Sequence, residues 1–406
     1  MKIGIVTSWW NGAGAGEVSL NFSKVLLSSG NSVHVYARNE FALGKTLPIP
    51  FEHPNFSVTP AARSNSPLVK SLNIRHFLKF IARNEIDSVI FNEQVDLTPV
   101  IELKKLGIRC IAYVDYYKED TVNSFKIYDA LICNTLRHFN VFKWHPNAWF
   151  LPWGIDPSLY KNTLAKASNN EFPFFHSCSY DPRRKGTDIL LESLAESDQL
   201  RCTIHAFPAL SETLPEYEGV INKLKLQGRL QEINQLIRQP GLYSMGRIYV
   251  YPSRLEGIGL SILEAAASGL HLVIPDIEPF SEFALPFAST LVPIDTLRAR
   301  HDAYYWPIAE VSSSSLVVAM KQALSSIQKN SDLHKRIQDS IFSTRDIYST
   351  HRMLSKLIEE LPFTPLQEET LDSAMNMSSQ KVPVLYSGTL KKLVFQIRQV
   401  MRRSVL

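Results

Sequence analysis

The chain alternates short β-rich runs with helical stretches, and it does so in two successive series. The first opens with KIGIVTS (2–8), then a glycine-rich stretch containing Gly12, Gly14 and Gly16. Val18, Phe22, Val25 and Leu26 follow at helical spacing until Gly30 supplies a stop, and SVHVYAR (32–38) reads as the next strand. Strand, loop, helix, strand requires a crossover and hence parallel pairing. Further strands are expected at 87–91, 109–114, 130–133 and 149–151, with helices over 74–83 and 99–106. A polar, unpatterned link, KNTLAKASNNE (161–171), separates the two series. The second has strands at 172–179, 201–207, 248–251 and 270–274, and a helix over 188–196. The spacing therefore predicts an α/β chain of two Rossmann-like, doubly wound domains, 1–160 and 172–330, facing across a cleft. The pattern over 331–360 reads as an amphipathic helix, and 361–406 as a tail. Ligands of such domains sit at the carboxyl ends of the strands.

Composition narrows the class. The chain has 406 residues, 45% apolar and 20% charged, which suits a soluble globular protein and excludes global disorder or coiled coil. No apolar run approaches the ~18 residues of a membrane span. MKIGIVTSWW reads as a first strand, not a signal peptide. The four cysteines, Cys110, Cys133, Cys178 and Cys202, form no C-x-x-C pair and look like thiols of a reducing cytoplasm. The net charge is +4, but 381–406 alone carries six basic residues and no acid, so 1–380 carries −2. The body is not a polyanion surface, and no nucleic-acid partner is expected.

The strongest chemical signal is YPSRLEGIGLSILEAAASG (251–269). A strand ends at Pro252; Glu256, Gly257, Ile258 and Gly259 occupy a loop; a helix starts near Ser261 and Gly269 stops it. The two glycines let the backbone approach a ligand, and free N–H groups at the helix start favour anionic or hydroxyl-rich groups. A loop carboxylate, Glu256, can accept from sugar hydroxyls, and a helix carboxylate, Glu264, from a ribose diol. For a lone pair of glutamates at this spacing, a surface turn would be the better reading; the glycines and the strand–loop–helix frame shift the balance. A second signal is DPRRKG (181–186), which offers Arg183, Arg184 and Lys185 where a diphosphate leaving group would need cations. Alone, basic residues beside a glycine are more often a solvated turn.

Segment 251–269 resembles the donor-site signature of glycosyltransferase family 4, retaining enzymes of the GT-B fold. YDALICNT (128–135), LPWGIDPSLY (151–160), RRKGTDILL (183–191) and DIEPFSEF (276–283), with Glu282, agree with it in order. The resemblance covers about residues 1–360 and implies that the helix over 331–360 crosses back to the first domain. It implies that Glu256 contacts the donor sugar, that the N–H groups of Ile258, Gly259 and Leu260 meet sugar and phosphates, and that Glu264 holds the ribose. Lys185 matches the family's lysine before glycine. The family's arginine five or six residues earlier is missing, because Ser179 and Tyr180 stand there; Arg183, Arg184 and Arg254 are the candidates to replace it. Asp115 stands where the family carries a histidine near the reacting carbon, and is expected to set donor or acceptor choice. The acids Glu93 and Glu119 read better as solvated loop residues.

The Gly12–Gly16 stretch would cradle donor phosphates or admit an acceptor, with a plain tight turn as the bland alternative. It is not a dinucleotide fingerprint: Glu17 takes the place of the last glycine, and Arg38 stands at the end of the second strand where an acid is needed, so NAD is not expected. No D-x-D and no H-x-x-x-H occurs, so no metal and no cofactor is expected, the nucleotide-diphosphate sugar being the donor substrate. The resemblance thus implies a metal-independent retaining glycosyltransferase acting on an acceptor hydroxyl of a glycan, a lipid-linked sugar or a protein. A sugar-nucleotide epimerase of the same fold and a non-catalytic sugar-nucleotide-binding protein stay open. In the tail, Leu393, Val394, Ile397, Val400 and Met401 form one helical stripe beside Lys391, Lys392, Arg398, Arg402 and Arg403. Residues 390–406 thus suit either an anionic membrane surface or packing on the body. The expected location is cytoplasmic, with the inner membrane face as the peripheral option.

Overall fold

The computed structural model describes residues 1–7, 14–38, 51–64, 71–164, 171–179, 181–235, 237, 239–328 and 332–367. The chain divides into two compact units. The first takes Met1–Cys133, Val141–Phe150 and the chain from Arg352 on; the second takes Asn134–Asn140 and Leu151–His351.

The first unit is a seven-stranded parallel sheet. Its strands are β1 (Lys2–Thr7), β2 (Ser32–Ala37), β3 (Phe56–Pro60), β4 (Ser88–Asn92), β5 (Arg109–Tyr113), β6 (Ala130–Cys133) and β7 (Ala148–Phe150). They lie in the order β3-β2-β1-β4-β5-β6-β7. Helices α1 (Gly14–Ser28), α2 (Ile74–Asn84) and α3 (Thr98–Lys105) are spaced between strands, whereas most of α4 (Leu136–Phe142) is grouped with the second unit. Ile3, Ile5, Val33, Val35, Val89, Ile90 and Phe91 are fully buried, as expected of central strands covered on both faces. Asp129, just before β6, has a structural task. It accepts from buried Lys104 at 2.7 Å and from the backbone N–H groups of Cys110 at 2.7 Å and Thr364 at 2.8 Å.

The second unit repeats the plan. Its elements are α5 (Pro157–Tyr160), β8 (Phe174–Ser179), α6 (Thr187–Glu196), β9 (Cys202–Ala206), α7 (Leu210–Thr213), α8 (Glu218–Leu226), β10 (Leu230–Asn234), β11 (Ile248–Val250), α9 (Leu260–Ala267), β12 (His271–Pro275) and β13 (Ser289–Val292). The strands form a parallel sheet in the order β10-β9-β8-β11-β12-β13. A small antiparallel pair follows, β14 (Thr296–Arg298) with β15 (Ile308–Glu310), and then α10 (Ser313–Gln328).

Three details depart from the sequence reading. The helix expected over 331–360 is broken into α11 (Leu333–Thr344), α12 (Ile347–Thr350) and α13 (Leu354–Glu360). The first break occurs because the backbone leaves the helix to pair with Ile155: Ile155 N–H donates to Arg345 O at 2.7 Å and Ile347 N–H to Ile155 O at 2.8 Å. Residues 151–160 belong with the second unit, where Trp153 and Tyr160 are buried, so the division falls before the polar link. Gly14 and Gly16 are not in a loop but open α1, with Gly16 buried in its first turn. Gly12 and the tail stripe of 390–406 lie outside the described residues.

Candidate functional site

A doubly wound sheet binds ligands where its strand order reverses. In the second unit that point lies between β8 and β11. The connection after β8 carries 181–186 and the connection after β11 carries 251–259. The two basic-and-acidic segments picked out by the sequence therefore emerge side by side from adjacent strands.

Their backbones are packed together. Gly186 has φ +71°, and a Cβ there would overlap the carbonyl of Pro252, so only glycine allows this approach. Arg254 N–H donates to Arg184 O at 2.8 Å, and Ser253 Oγ lies 3.1 Å from the same carbonyl. Beneath them, His176 bridges Val250 O and Thr187 Oγ1, each at 2.8 Å. Burial drives its pKa down to about 4, so the ring stays neutral.

On this platform Lys185, Arg184 and Glu256 meet. Lys185 Nζ lies 2.5 Å from Glu256 Oε1, and Arg184 Nη1 lies 3.0 Å from the same oxygen. Tyr251 OH donates to it at 2.8 Å and Ser253 Oγ at 3.0 Å. Lys185 also donates to Tyr251 OH. All four donors use Oε1; among the described residues none donates to Oε2. Burial pushes the Glu256 carboxyl up, but the Lys185 and Arg184 charges outweigh it and hold the group at about 2. Burial and the neighbouring Arg184 charge pull Lys185 down, and Glu256 works against both. The direction that fits this geometry is an ionised pair.

The other candidates separate by task. Arg254 is structural: it makes a bidentate contact with Asp188 at 2.7 and 2.9 Å and reaches Glu310 at 2.7 Å, tying the loop to α6 and β15. Arg183 pairs with Glu216. Of the three arginines considered, Arg184 alone reaches Glu256. Gly257, Ile258 and Gly259 turn the chain into α9; Gly259, at φ +85°, is the residue before Leu260 opens the helix. Glu264 lies in the second turn of α9, half-buried. Asp115, half-buried, follows β5 in the first unit.

Sequence reasoning missed four polar side chains here. The hydroxyls of Tyr251 and Ser253 sit inside the quoted motif, and only the fold shows them aimed at Glu256. Arg137 donates to the carbonyls of Glu256 and Gly257 and stacks over Trp306 at 4.7 Å. His138 faces Gly257 O at 3.3 Å. Glu282, part of the DIEPFSEF segment, accepts from the N–H groups of Leu136 at 2.6 Å and Arg137 at 3.0 Å, and so holds the start of α4. A cavity of about 200 Å³, with Arg137, Leu255, Ile277, Phe280 and Trp306 in its wall, lies next to the loop; Lys185 and Glu256 do not line it. Among the described residues, no three His, Cys, Asp or Glu side chains gather as a metal-binding set.

The chain is similar to known glycosyltransferases. Residues 173–295 match the family of glycosyl transferases group 1, a span containing Lys185, Glu256 and Glu264. The chain is 30% identical over 129 residues to the lipopolysaccharide core biosynthesis mannosyltransferase LpsB of Rhizobium meliloti (strain 1021). That match takes in 30% of this chain and 37% of the relative's length. Among solved structures, sucrose-phosphate synthase from Thermosynechococcus elongatus superposes with a TM-score of 0.67 at 15% identity, over 89% of this chain and 99% of that one. Anabaena HepE, solved with UDP-glucose, gives 0.65 at 16% identity, over 89% and 100%. The two parallel-sheet α/β domains are those of the GT-B fold.

Proposed function

We propose that this protein is a retaining glycosyltransferase that moves a sugar from a nucleotide-diphosphate sugar to an acceptor hydroxyl. One observation carries the reading: Lys185, Arg184 and Glu256 converge at the switch point of a domain that matches the glycosyl transferases group 1 family over residues 173–295. The UDP-glucose bound by HepE supports a nucleotide sugar as donor, and LpsB supports a hexose on a glycan pathway.

The roles follow from charge and position. Glu256 offers Oε2 to hydroxyls of the donor sugar while Oε1 stays anchored. Lys185 and Arg184 turn to the diphosphate, whose negative charge grows as the anomeric C–O bond breaks. Arg184 takes the place of the missing family arginine. The N–H groups of Gly257 to Leu260, at the start of α9, add a positive end for phosphate or sugar oxygens. Glu264 accepts from the ribose. These cations and N–H groups stabilise the leaving group without a metal.

The bonding electrons leave with the diphosphate, the acceptor oxygen bonds to the anomeric carbon from the same face, and its proton passes to the departing phosphate oxygen. The acceptor is a hydroxyl of a glycan, a lipid-linked sugar or a protein, and the reaction takes place in the cytoplasm. Asp115→Ala with unchanged turnover and sugar preference would remove Asp115 from the account.

The test is to incubate the protein with a panel of nucleotide sugars, with and without acceptor, following diphosphate release and the anomeric configuration of the product. Release that depends on acceptor, with retained configuration, is the expected result. Inversion would refute the retaining step, and an epimerised nucleotide sugar without acceptor would point to an isomerase.

A further inference from the structure

Glu264 is not held by its helix alone. Tyr243 OH donates to its Oε2 at 2.6 Å, and Gln239 Nε2 donates to its Oε1 at 2.7 Å. Each oxygen thus receives one hydrogen bond from the segment leading into β11. An ionised carboxylate has about four lone-pair sites, so, counting donors among the described residues, one acceptor site per oxygen is left. Two adjacent acceptor sites in a fixed plane suit a vicinal diol. We propose that Tyr243 and Gln239 are positioning residues that set the plane of the Glu264 carboxylate for the two ribose hydroxyls of the nucleotide. This rests on the donor-site reading above and deepens it.

The donors are themselves fixed. Tyr243 is buried, with its ring 5.7 Å from Phe175 and 5.6 Å from Tyr249, both contacts edge-on. Gly241, at φ +80°, passes so close that a Cβ would lie 2.9 Å from the Tyr243 ring. Burial, and then the Glu264 charge, push the phenol well above its ordinary range, so it remains a proton donor. Gln239 is exposed and its removal leaves this packing in place.

The experiment measures the affinities of the full-length protein for UDP and GDP and for their 2′,3′-dideoxy analogues, in wild type, Glu264→Ala, Tyr243→Phe and Gln239→Ala. The wild type should prefer the ribonucleotide at least about tenfold, the worth of one charge-assisted hydrogen bond. Glu264→Ala should abolish the preference. Tyr243→Phe and Gln239→Ala should each reduce it at least threefold while binding the dideoxy analogue within twofold of wild type. A merely structural role would weaken both nucleotides alike. If Glu264→Ala loses the preference while both other variants keep it, the positioning role is overturned and the donor-site reading stands. A wild type with no preference, or a Glu264→Ala protein that keeps it, overturns both. Should Tyr243→Phe fail to fold, the surface variant Gln239→Ala decides.

Discussion

Removing the Lys185 ammonium should affect stability and ligand binding in different, pH-dependent ways. In Lys185→Met the methylene stem is kept and the charge lost, so Glu256 retains Arg184 at 3.0 Å, Tyr251 at 2.8 Å and Ser253 at 3.0 Å but loses its 2.5 Å partner. Glu256 is held at about 2 against an ordinary 4.5. At about 1.4 kcal/mol per unit, its surroundings favour the ionised form by about 3 kcal/mol. Two cations share that, and Lys185 itself suffers from burial, so the variant should lose about 1–2 kcal/mol at neutral pH. The sign follows from linkage. A carboxyl depressed in the folded state stabilises fully above its unfolded value and loses that contribution as pH falls through 4.5 toward 2. The gap between wild type and variant should therefore be constant from pH 7 to 5 and close below about 4.5. Urea unfolding at several pH values measures it. Calorimetric titration with UDP or GDP should show a 10- to 100-fold weaker diphosphate, one charge-assisted hydrogen bond being worth about 1.5–3 kcal/mol. Wild-type affinity for both diphosphates, together with a stability gap that does not change between pH 7 and pH 3, would refute the reasoning.

Other outcomes follow from the same geometry. Glu256→Gln keeps the shape and removes the charge; transfer should drop by about 10²–10³-fold, with nucleoside diphosphate affinity changed far less, as steady-state kinetics and calorimetry would report. Gly186→Ala forces a Cβ into the Pro252 carbonyl at a left-handed φ, and should cost more than about 2 kcal/mol in denaturant unfolding. Burial lowers His176 and His271 to about 4 and His351 to about 3, against 6.5 when unfolded. The unfolded chain therefore binds more protons between pH 6.5 and 4, and stability should fall as pH drops through that window, by up to about 4 kcal/mol per pH unit with all three titrating; a flat profile would contradict it. Arg254→Met breaks a buried pair with Asp188 and should unfold the protein more readily by about 3–5 kcal/mol, while Arg184→Met should chiefly weaken diphosphate binding.

The alternation of strands and helices was readable because parallel strands covered on both faces carry apolar runs: Ile3–Val6 in β1, Val89–Phe91 in β4 and Cys110–Tyr113 in β5, while in β2 only His34 interrupts the run from Val33 to Ala37. The edge strands β3 and β10 escaped: Phe56–Pro60 is half-exposed and Leu230–Asn234 carries Gln231, Glu232 and Asn234, so neither shows an apolar run. The break in the last helical region was invisible because its cause is Ile155, far away in sequence. At the site, Lys185 and Glu256 were found by motif. That Arg184, and neither Arg183 nor Arg254, shares the carboxylate depends on where Asp188, Glu216 and Glu310 fall in space. Tyr251, Ser253 and Tyr243 read as core and turn residues in a string of letters, and their hydroxyls acquire direction only from the fold.

Thermal unfolding with a panel of nucleotide sugars, in wild type, Lys185→Met and Glu256→Gln, tests the central claim most directly. A ligand at 100 times its dissociation constant adds about 2.7 kcal/mol to the folded state. At least one nucleotide sugar should raise the wild-type midpoint by several degrees, and neither variant should respond fully. A wild type that no member of the panel stabilises, or a shift equal in all three proteins, would contradict the site.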